Sequence, residues 1–213
     1  TWLAGKELGK KAILQRNSIN TQVYAYSEVH RKEIREQLSI PTDAIMIGHV
    51  GRFNKQKNHA FLIDIFHAFI QQHPNTHLVL VGVGELMEEI QEKVQRLQLT
   101  KQVHFLGVRS DVPKLLHAMD LFLFPSFMEG LSVSMVEAQC AGLPCVVSDT
   151  IPTEVSMSDL VSFLSLKVSI SEWVKEIEFM INRDIDRSNY PSIITQAGYD
   201  IQKNAEWLQN YYL

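Results

Sequence analysis

Three consecutive segments decide the fold of this chain: AIMIGHV at 44–50, NHAFLIDIFHAFIQQ at 58–72 and HLVLV at 77–81. The first and third are short runs that are apolar on both faces, which is typical of strands buried inside a parallel sheet. The middle segment repeats apolar residues at the spacing of an amphipathic helix. Strand, helix and strand in this order predict a βαβ unit.

The same alternation continues along the chain, and residues 28–37 also have helical spacing. We therefore predict the α/β class, with a Rossmann-like parallel sheet that carries helices on both faces. Ligands of such sheets bind outside the carboxyl ends of the strands, so the loops at those ends are the candidate sites. Further strands are predicted at 103–106, 121–124, 143–147 and 160–164, further helices at 85–97, 112–119, 132–141, 170–182 and 199–211, and candidate loops at 51–57, 82–85, 107–111, 125–132 and 148–153.

Composition narrows the class of protein. The chain has 213 residues, of which 46% are hydrophobic and 21% charged, and this predicts one large globular domain. The net charge of −4 argues against a general nucleic-acid binder, and the apolar runs are too short to cross a bilayer. Two cysteines without a disulfide framework favour a reducing compartment. Because the chain begins with Thr1 rather than Met, we expect a piece of a longer protein.

The loop GRFNKQK at 51–57 follows the first predicted strand. Gly51 would let a ligand approach the backbone, while Arg52 and Lys57 bracket a helix N-terminus that already carries partial positive charge. The loop is therefore a candidate diphosphate site, with a solvated basic turn as the alternative. The loop GVGE at 82–85 is weaker, because it lacks the third glycine of the dinucleotide fingerprint, and NAD binding is not expected.

The segment PSFMEGLS at 125–132 precedes a helix that contains Glu137. Glu129 and Glu137 form an E-x7-E pattern, and residues 130–133 supply free backbone N–H groups at a helix start. Two acids beside such donors suit a ligand with both phosphate and hydroxyl groups. The alternative is that Glu129 caps the helix and Glu137 is surface charge, but a carboxylate on a mostly apolar helix is costly unless it is paired.

Other conspicuous residues have structural explanations. His67, His73 and His77 lack ligand spacing, so no metal site is predicted. Cys140 and Cys145 are interpreted as buried structural thiols. The basic residues of HRKEIREQ at 30–37 are predicted to form a solvated helix face, with attraction to a membrane surface as the lesser alternative. These basic residues are Arg31, Lys32 and Arg35.

Taken together and in order, GRFNKQK, GVGE, VHFLG and PSFMEGLSVSMVEAQCAGLPCVVSD resemble the retaining GT-B glycosyltransferases of the group 1 type, often called family 4. Within that group, KNHAFLIDIF, GVRSDVP and EAQCAGLPCVVSD are most similar to bacterial capsule and exopolysaccharide enzymes. Such enzymes have two Rossmann-like domains, with the donor in the C-terminal one. This chain is similar to that half of a GT-B fold alone.

The resemblance implies a role for each matching residue. It implies that Arg52 and Lys57 neutralise the donor diphosphate, that Glu129 holds the transferred sugar, and that these three are catalytic. It implies that Glu137 binds the ribose hydroxyls. The other implied nucleotide-sugar-binding residues are Gly51, which lets the phosphates come close; Gly82, Leu106 and Arg109, near the base and ribose; and Gly130, Leu131, Ser132 and Val133, whose backbone contacts the sugar and the β-phosphate.

The resemblance also implies a domain plan and partners. Residues 1–20 would end the crossover from a missing N-terminal domain, 21–198 would bind the nucleotide sugar, and 199–213 would pack back on the missing domain. A UDP-sugar donor, a saccharide or lipid-linked acceptor, no cofactor, no metal and no nucleic acid are expected. The expected location is the cytoplasm, at the inner face of the cell membrane if the full-length enzyme associates peripherally with it. The isolated chain is expected to be inactive, and its Trp207, Tyr211 and Tyr212 to be exposed.

Two departures from the family pattern leave the donor open. A larger aromatic residue and a glycine often stand where this chain has Leu131 and Ser132, and Asp-Gly-Pro often stands in place of residues 83–85. The alternatives are a nucleotide-sugar 2-epimerase, which shares the GT-B architecture, and a non-catalytic nucleotide-binding module.

Overall fold

The computed structural model of the protein describes residues 16–212. Six parallel strands form one sheet, and helices cover both of its faces. Most of the predicted crossover at 1–20 lies outside the described residues. The strands are β1 (Ile45–Val50), β2 (Thr76–Val81), β3 (Val103–Phe105), β4 (Leu121–Phe124), β5 (Cys145–Ser148) and β6 (Val161–Leu164); the helices are α1 (Glu28–Gln37), α2 (His59–Ile70), α3 (Met87–Arg96), α4 (Val112–Ala118), α5 (Val133–Cys140), α6 (Ile170–Ile181), α7 (Tyr190–Gln196) and α8 (Ile201–Tyr212).

The strand order is β3-β2-β1-β4-β5-β6, which confirms the predicted Rossmann-like α/β fold. The order reverses between β1 and β4, where only Ile47 with Leu121 and Gly48 with Phe122 are in register. Strands on the two sides of this reversal send their connections in opposite directions. The carboxyl ends of β1 and β4 therefore flank a crevice, which is where ligands of open parallel sheets bind.

Alternate residues of each strand enter two separate hydrophobic cores. Met46 and Phe122 face α1, α4, α5 and α7, whereas Ile47 and Leu123 face α2, α3 and α6. Full burial of one such side chain stabilises the fold by about 1.5–3 kcal/mol. Because both faces are covered, apolar residues predominate on both faces of the inner strands, and this is why their sequences show no polar alternation. His49 in β1 and Ser148 in β5 are buried polar exceptions.

Sequence patterning found most elements, but it missed α7. That helix reads YPSIITQ, has a proline as its second residue and contains three β-branched residues, which weakens its helical signal. The predicted strand 143–147 begins two residues later, at Cys145, because Leu143 N still hydrogen-bonds to the carbonyl of Ala138 on α5. Gly142 makes this tight helix end possible through a positive φ of 65°.

Three smaller predictions agree with the structure. Cys140 and Cys145 are buried and unpaired. Trp207, Tyr211 and Tyr212 of α8 are exposed. Within residues 16–212, no helix combines the length and apolarity that a membrane span requires. The packing of α8 against a further domain stays a prediction.

The prediction of a solvated basic face on α1 is wrong for two of its three residues. Arg35 is only 1% exposed, and its guanidinium donates to Asp120 Oδ2 at 2.7 Å, while Arg31 donates to Asp120 Oδ1 at 2.6 Å. Asp120 Oδ2 also accepts the backbone N–H of Met46 at 2.7 Å. Burial lowers the pKa of Arg35, and Asp120 opposes that shift. Only Lys32 remains solvated.

This cluster yields a stability prediction. Asp120→Ala should lower the free energy of unfolding by about 3–5 kcal/mol, because two guanidinium groups, one of them buried, lose the carboxylate that binds both. Urea unfolding followed by circular dichroism measures the change. Glu33→Ala, which removes an exposed pair with Lys114, is the control and should change stability by less than about 1 kcal/mol. Equal losses in the two variants would contradict the prediction.

Candidate functional site

Neutral hydrogen bonds join the loops that follow β1 and β4. The backbone N–H of Phe127 donates to the carbonyl of Gln56 at 2.8 Å, and the Gln56 amide donates to the carbonyl of Met128 at 2.7 Å. The Asn58 amide donates to the carbonyl of Pro125 at 3.0 Å. Asn58 is in the left-handed region with φ of 55°, which Asn tolerates better than most residues. The two loops therefore form one continuous wall of the crevice.

Lys57 and Glu129 meet inside this wall. The ammonium of Lys57 donates to Glu129 Oε1 at 2.8 Å, and the two side chains are 15% and 7% exposed. The same ammonium lies 4.5 Å from the centre of the Phe124 ring, a favourable cation–π distance. Among the described residues, Glu129 is the only hydrogen-bond partner of the ammonium. Its remaining N–H donors are thus available to a ligand.

Two buried histidines lie beneath Lys57. His49 Nδ1 hydrogen-bonds to the carbonyl of Leu123 at 2.9 Å, and the His59 ring stacks on Phe53 with ring centres 4.0 Å apart. Burial lowers the pKa of His49 well below its usual value and that of His59 to about 4, and the charge of Lys57 lowers both further. Both rings are therefore neutral near pH 7, and Lys57 is the cation at this point of the site.

Arg52 occupies the rim of the crevice. Its guanidinium lies 3.3 Å from Glu85 of the loop after β2, and the two side chains are 71% and 58% exposed. An ion pair this exposed is screened by water and contributes little to stability. The guanidinium can therefore exchange Glu85 for an anionic ligand at small cost. The structure thus places one nearly buried cation and one exposed cation on the loop after β1, a difference in burial that the sequence did not predict.

The start of α5 supplies backbone donors. Ser132 is the N-cap residue, but its hydroxyl bonds to Ser134 Oγ at 3.0 Å rather than to a backbone N–H. Within the described chain, the N–H groups of residues 130–133 donate to no other protein group. Together with the helix dipole, they favour an anion at this position. Leu131 and Val133 beside them are exposed apolar side chains.

Glu137 has a buried partner that sequence reasoning missed. The hydroxyl of Tyr24 donates to Glu137 Oε1 at 2.5 Å, although the two residues are 113 positions apart. Burial raises the pKa of Glu137, and the Tyr24 hydrogen bond opposes that shift. Burial, followed by this hydrogen bond, also raises the pKa of Tyr24, which keeps the phenol protonated. No local pattern around Tyr24 signals this contact.

The remaining predicted residues have structural roles that the sequence did not show. Gly82 has φ of 132°, and a Cβ on it would lie 2.1 Å from the Gly51 carbonyl oxygen, so glycine is needed where these two loops meet. Arg109 makes two hydrogen bonds to Asp111, at 2.8 and 2.7 Å, and is thereby engaged within its own loop. Leu106 N bonds to the carbonyl of Leu80. No group of three or more potential metal ligands is arranged around a common point within residues 16–212.

The fold and the site together define an α/β protein with charged side chains and free backbone N–H groups at the carboxyl ends of β1 and β4. The family model described as glycosyl transferases group 1 matches residues 30–197. The chain therefore belongs to this glycosyltransferase family, which confirms the resemblance at the level of family and fold. Retention of configuration and identity with the C-terminal half stay predictions.

Known proteins give the same classification. A protein of Bacillus subtilis named glycosyltransferase EpsF is 36% identical over 198 residues, which are 92% of this chain and 52% of that protein. The UDP-Gal:alpha-D-GlcNAc-diphosphoundecaprenol alpha-1,3-galactosyltransferase of Escherichia coli is 32% identical over 62% of this chain and 35% of its own length. The chain thus spans about half the length of these curated relatives, or less.

A solved structure extends the comparison. Anabaena HepE in complex with UDP-glucose superimposes with a TM-score of 0.73 and 25% identity, and the match covers 93% of this chain and 57% of that one. The similarity spans nearly the whole chain. It agrees with the six-stranded parallel sheet found here.

The buried ion pair generates a prediction about coupling. Lys57→Met and Glu129→Gln should each lower the free energy of unfolding by about 1–3 kcal/mol, because each leaves a poorly solvated group without its partner. The double variant should lose clearly less than the sum of the two, as a double-mutant cycle in urea would show. The exposed pair of Lys175 and Glu172 is the matched control, with a coupling near zero. Additive losses at the buried pair would refute the coupling.

Glu137 generates a prediction about pH. Its pKa is raised in the folded state, so ionising it costs folded stability above that pKa, and the cost vanishes below the pKa of the unfolded carboxyl. Glu137→Gln keeps an acceptor for Tyr24 without the charge. The variant should therefore be more stable than the wild type near pH 8, and this advantage should disappear near pH 4. Thermal unfolding at both pH values measures it, with the exposed Glu88→Gln as control; a pH-independent difference would be the contrary result.

Proposed function

We propose that the crevice between β1 and β4 binds a nucleoside-diphosphate sugar, and that the protein transfers the sugar to a saccharide or lipid-linked acceptor with retention of configuration. The observation that carries this proposal is the nearly buried pair of Lys57 and Glu129 beside the unpaired N–H groups of α5. Such a site offers positive charge to a diphosphate and a carboxylate to sugar hydroxyls. Both groups lie on two loops that hydrogen bonds join to each other.

The proposed chemistry follows from the charge that develops on the leaving group. When the bond from the sugar to the diphosphate breaks, negative charge grows on the departing nucleoside diphosphate. Lys57, Arg52 and the N-terminus of α5 stabilise that charge without moving far, because the loops that carry them are already joined. Glu129 accepts hydrogen bonds from the transferred sugar, and Glu137 accepts them from the ribose. Gly51, Gly82, Leu106, Arg109 and residues 130–133 complete the proposed binding surface.

A UDP-sugar is the proposed donor. The HepE structure contains UDP-glucose, and the name of the Escherichia coli relative specifies UDP-Gal. That name also specifies a diphosphoundecaprenol-linked sugar as acceptor, which supports a lipid-linked acceptor here. Such an acceptor would place the reaction at the inner face of the cell membrane, in the synthesis of a bacterial surface polysaccharide. The acceptor would be held mainly by an N-terminal domain that precedes this half.

Calorimetric titration of the protein with UDP, GDP and ADP tests the proposed donor site. We expect saturable binding of UDP, unchanged by EDTA, and a loss of about tenfold or more in affinity for Lys57→Ala. Lys55→Ala is the matched control, since Lys55 lies two residues away on the same turn, is exposed and makes no ion pair in the described chain. Absence of UDP binding at millimolar concentration in the full-length protein would overturn the proposal.

Turnover separates the proposed enzyme from the alternative binding module. The full-length protein should transfer sugar from a UDP-sugar, and nuclear magnetic resonance of the product should show the anomeric configuration of the donor. Binding without transfer to any saccharide or lipid-linked acceptor would favour a non-catalytic module. A product with inverted configuration would refute the proposed retention while leaving the donor site intact.

A further inference from the structure

The Tyr24 hydroxyl makes a single hydrogen bond in the part of the chain that the structure describes. The side chain is 8% exposed and belongs to the short turn Thr21–Tyr24, which precedes α1. Its ring packs in the core that includes Val136 and Cys140 of α5, where a phenylalanine would fill nearly the same space. Within the described chain, the hydroxyl hydrogen-bonds only to Glu137 Oε1. The oxygen that distinguishes tyrosine from phenylalanine is thus directed at the carboxylate that we assign to the ribose.

The turn that carries Tyr24 is fixed from two directions. The Thr21 hydroxyl donates to Asp200 Oδ2 at 2.6 Å, which ties the turn to the start of α8. His117 Nε2 on α4 lies 3.2 Å from the Tyr24 carbonyl oxygen, so it must carry the hydrogen and donate. Burial lowers the pKa of His117 to about 4, so this ring is neutral near pH 7. The phenol therefore reaches Glu137 from a rigid support.

The hydrogen bond from Tyr24 engages only one of the two oxygens of the Glu137 carboxylate. Oε1 accepts from Tyr24, whereas Oε2 has no hydrogen-bond partner among the described residues. The other titratable groups around the pair are His117 on α4, Cys140 one turn further along α5, and Asp200, which lies near that thiol. Burial raises the pKa of Cys140 to about 12, so the thiol is neutral. Tyr24 is accordingly the group that most directly favours the ionised form of Glu137.

We propose that Tyr24 is a positioning residue of the donor site: by holding Oε1 of Glu137, it leaves Oε2 oriented to accept the ribose hydroxyls, so that the site selects ribonucleotides over 2′-deoxynucleotides. A carboxylate with one oxygen fixed presents the other in a single orientation. The Tyr24 hydrogen bond also favours the charged form of Glu137, and a charged acceptor makes stronger hydrogen bonds to hydroxyl groups than a neutral one. This inference rests on the proposed function of the crevice.

Tyr24→Phe tests the inference, because it removes only the hydroxyl. In calorimetry, the variant should bind UDP about tenfold more weakly than the wild type, while its affinity for 2′-deoxyuridine diphosphate, which keeps only one of the two ribose hydroxyls, should fall clearly less. Tyr26→Phe is the matched control, since the Tyr26 hydroxyl bonds to Glu28 at the protein surface, and both affinities should be unchanged. If Tyr24→Phe fails to fold by circular dichroism, Tyr24→Met, which fills most of the same volume without a hydroxyl, replaces it.

Two further readouts distinguish positioning from a merely structural role. The pH below which UDP affinity declines should be higher in Tyr24→Phe than in the wild type, because loss of the phenol raises the pKa of Glu137 further. In a Glu137→Ala background, which has no side-chain acceptor for the phenol, Tyr24→Phe should have no additional effect on UDP affinity. A variant that merely loosens the fold would lower the melting temperature and weaken both nucleotides equally, and that result would overturn the inference.

These experiments distinguish a failure of the role proposed for Tyr24 from a failure of the proposed function. If the wild type binds UDP and Lys57→Ala weakens binding, but Tyr24→Phe leaves the preference for ribose intact, the proposed function stands and the role of Tyr24 is refuted. If Glu137→Gln binds UDP as tightly as the wild type, the assignment of the ribose to Glu137 is refuted and the role of Tyr24 falls with it. If the full-length wild type binds no UDP, the proposed donor site itself fails.

Discussion

The pairing of β1 with β4 is the constraint on which the rest of the structure depends. Six residues of β1 are in register with β2, but only two are in register with β4. The Asp120 carboxylate strengthens this short ladder at its amino end, where it accepts the Met46 N–H and binds two arginines of α1. At the opposite end of the same pair, His49 Nδ1 hydrogen-bonds to the carbonyl of Leu123, and this link involves no charge. Buried charge thus holds the amino end of the β1–β4 pair, while the carboxyl end of the pair borders the crevice.

The site retains polar groups that a core selected for stability alone would replace. Glu137 lies on a helix whose other buried residues are apolar except for Gln139, and burial disfavours its charged form. His59 has two ring nitrogens without partners, and His49 has one. Each buried polar group without a partner costs about 1–3 kcal/mol. The two cores, which are packed with large apolar side chains on both faces of the sheet, supply the stability that tolerates these costs.

The sheet could be predicted from the sequence because a strand that is buried on both faces is a run of mostly apolar residues. This pattern does not depend on which strands lie next to it in the sheet. The sequence could also predict the loops of the site because ligands of parallel sheets bind at one edge. It could not predict that Arg35 is buried, since a basic residue among charged neighbours on a helix has the pattern of a solvated face. It could not pair Tyr24 with Glu137, because nothing local relates two residues 113 positions apart. The helix α7 was missed because tertiary packing of Ile194 and Tyr190, rather than helix propensity, holds it.

Neutral and charged interactions have different roles in the crevice. The loops are joined by uncharged groups, namely the amides of Gln56 and Asn58 and the close contact of Gly82 with Gly51. The charged groups Lys57, Glu129 and Arg52 contribute charge and, at the nearly buried Lys57–Glu129 pair, stability, but they do not make the neutral hydrogen bonds that set the shape of the wall. A substitution at a charged position therefore perturbs the ligand chemistry more than the shape of the wall. A substitution at Gln56 or Gly82 changes the shape itself, so that its effects on binding would report geometry rather than charge.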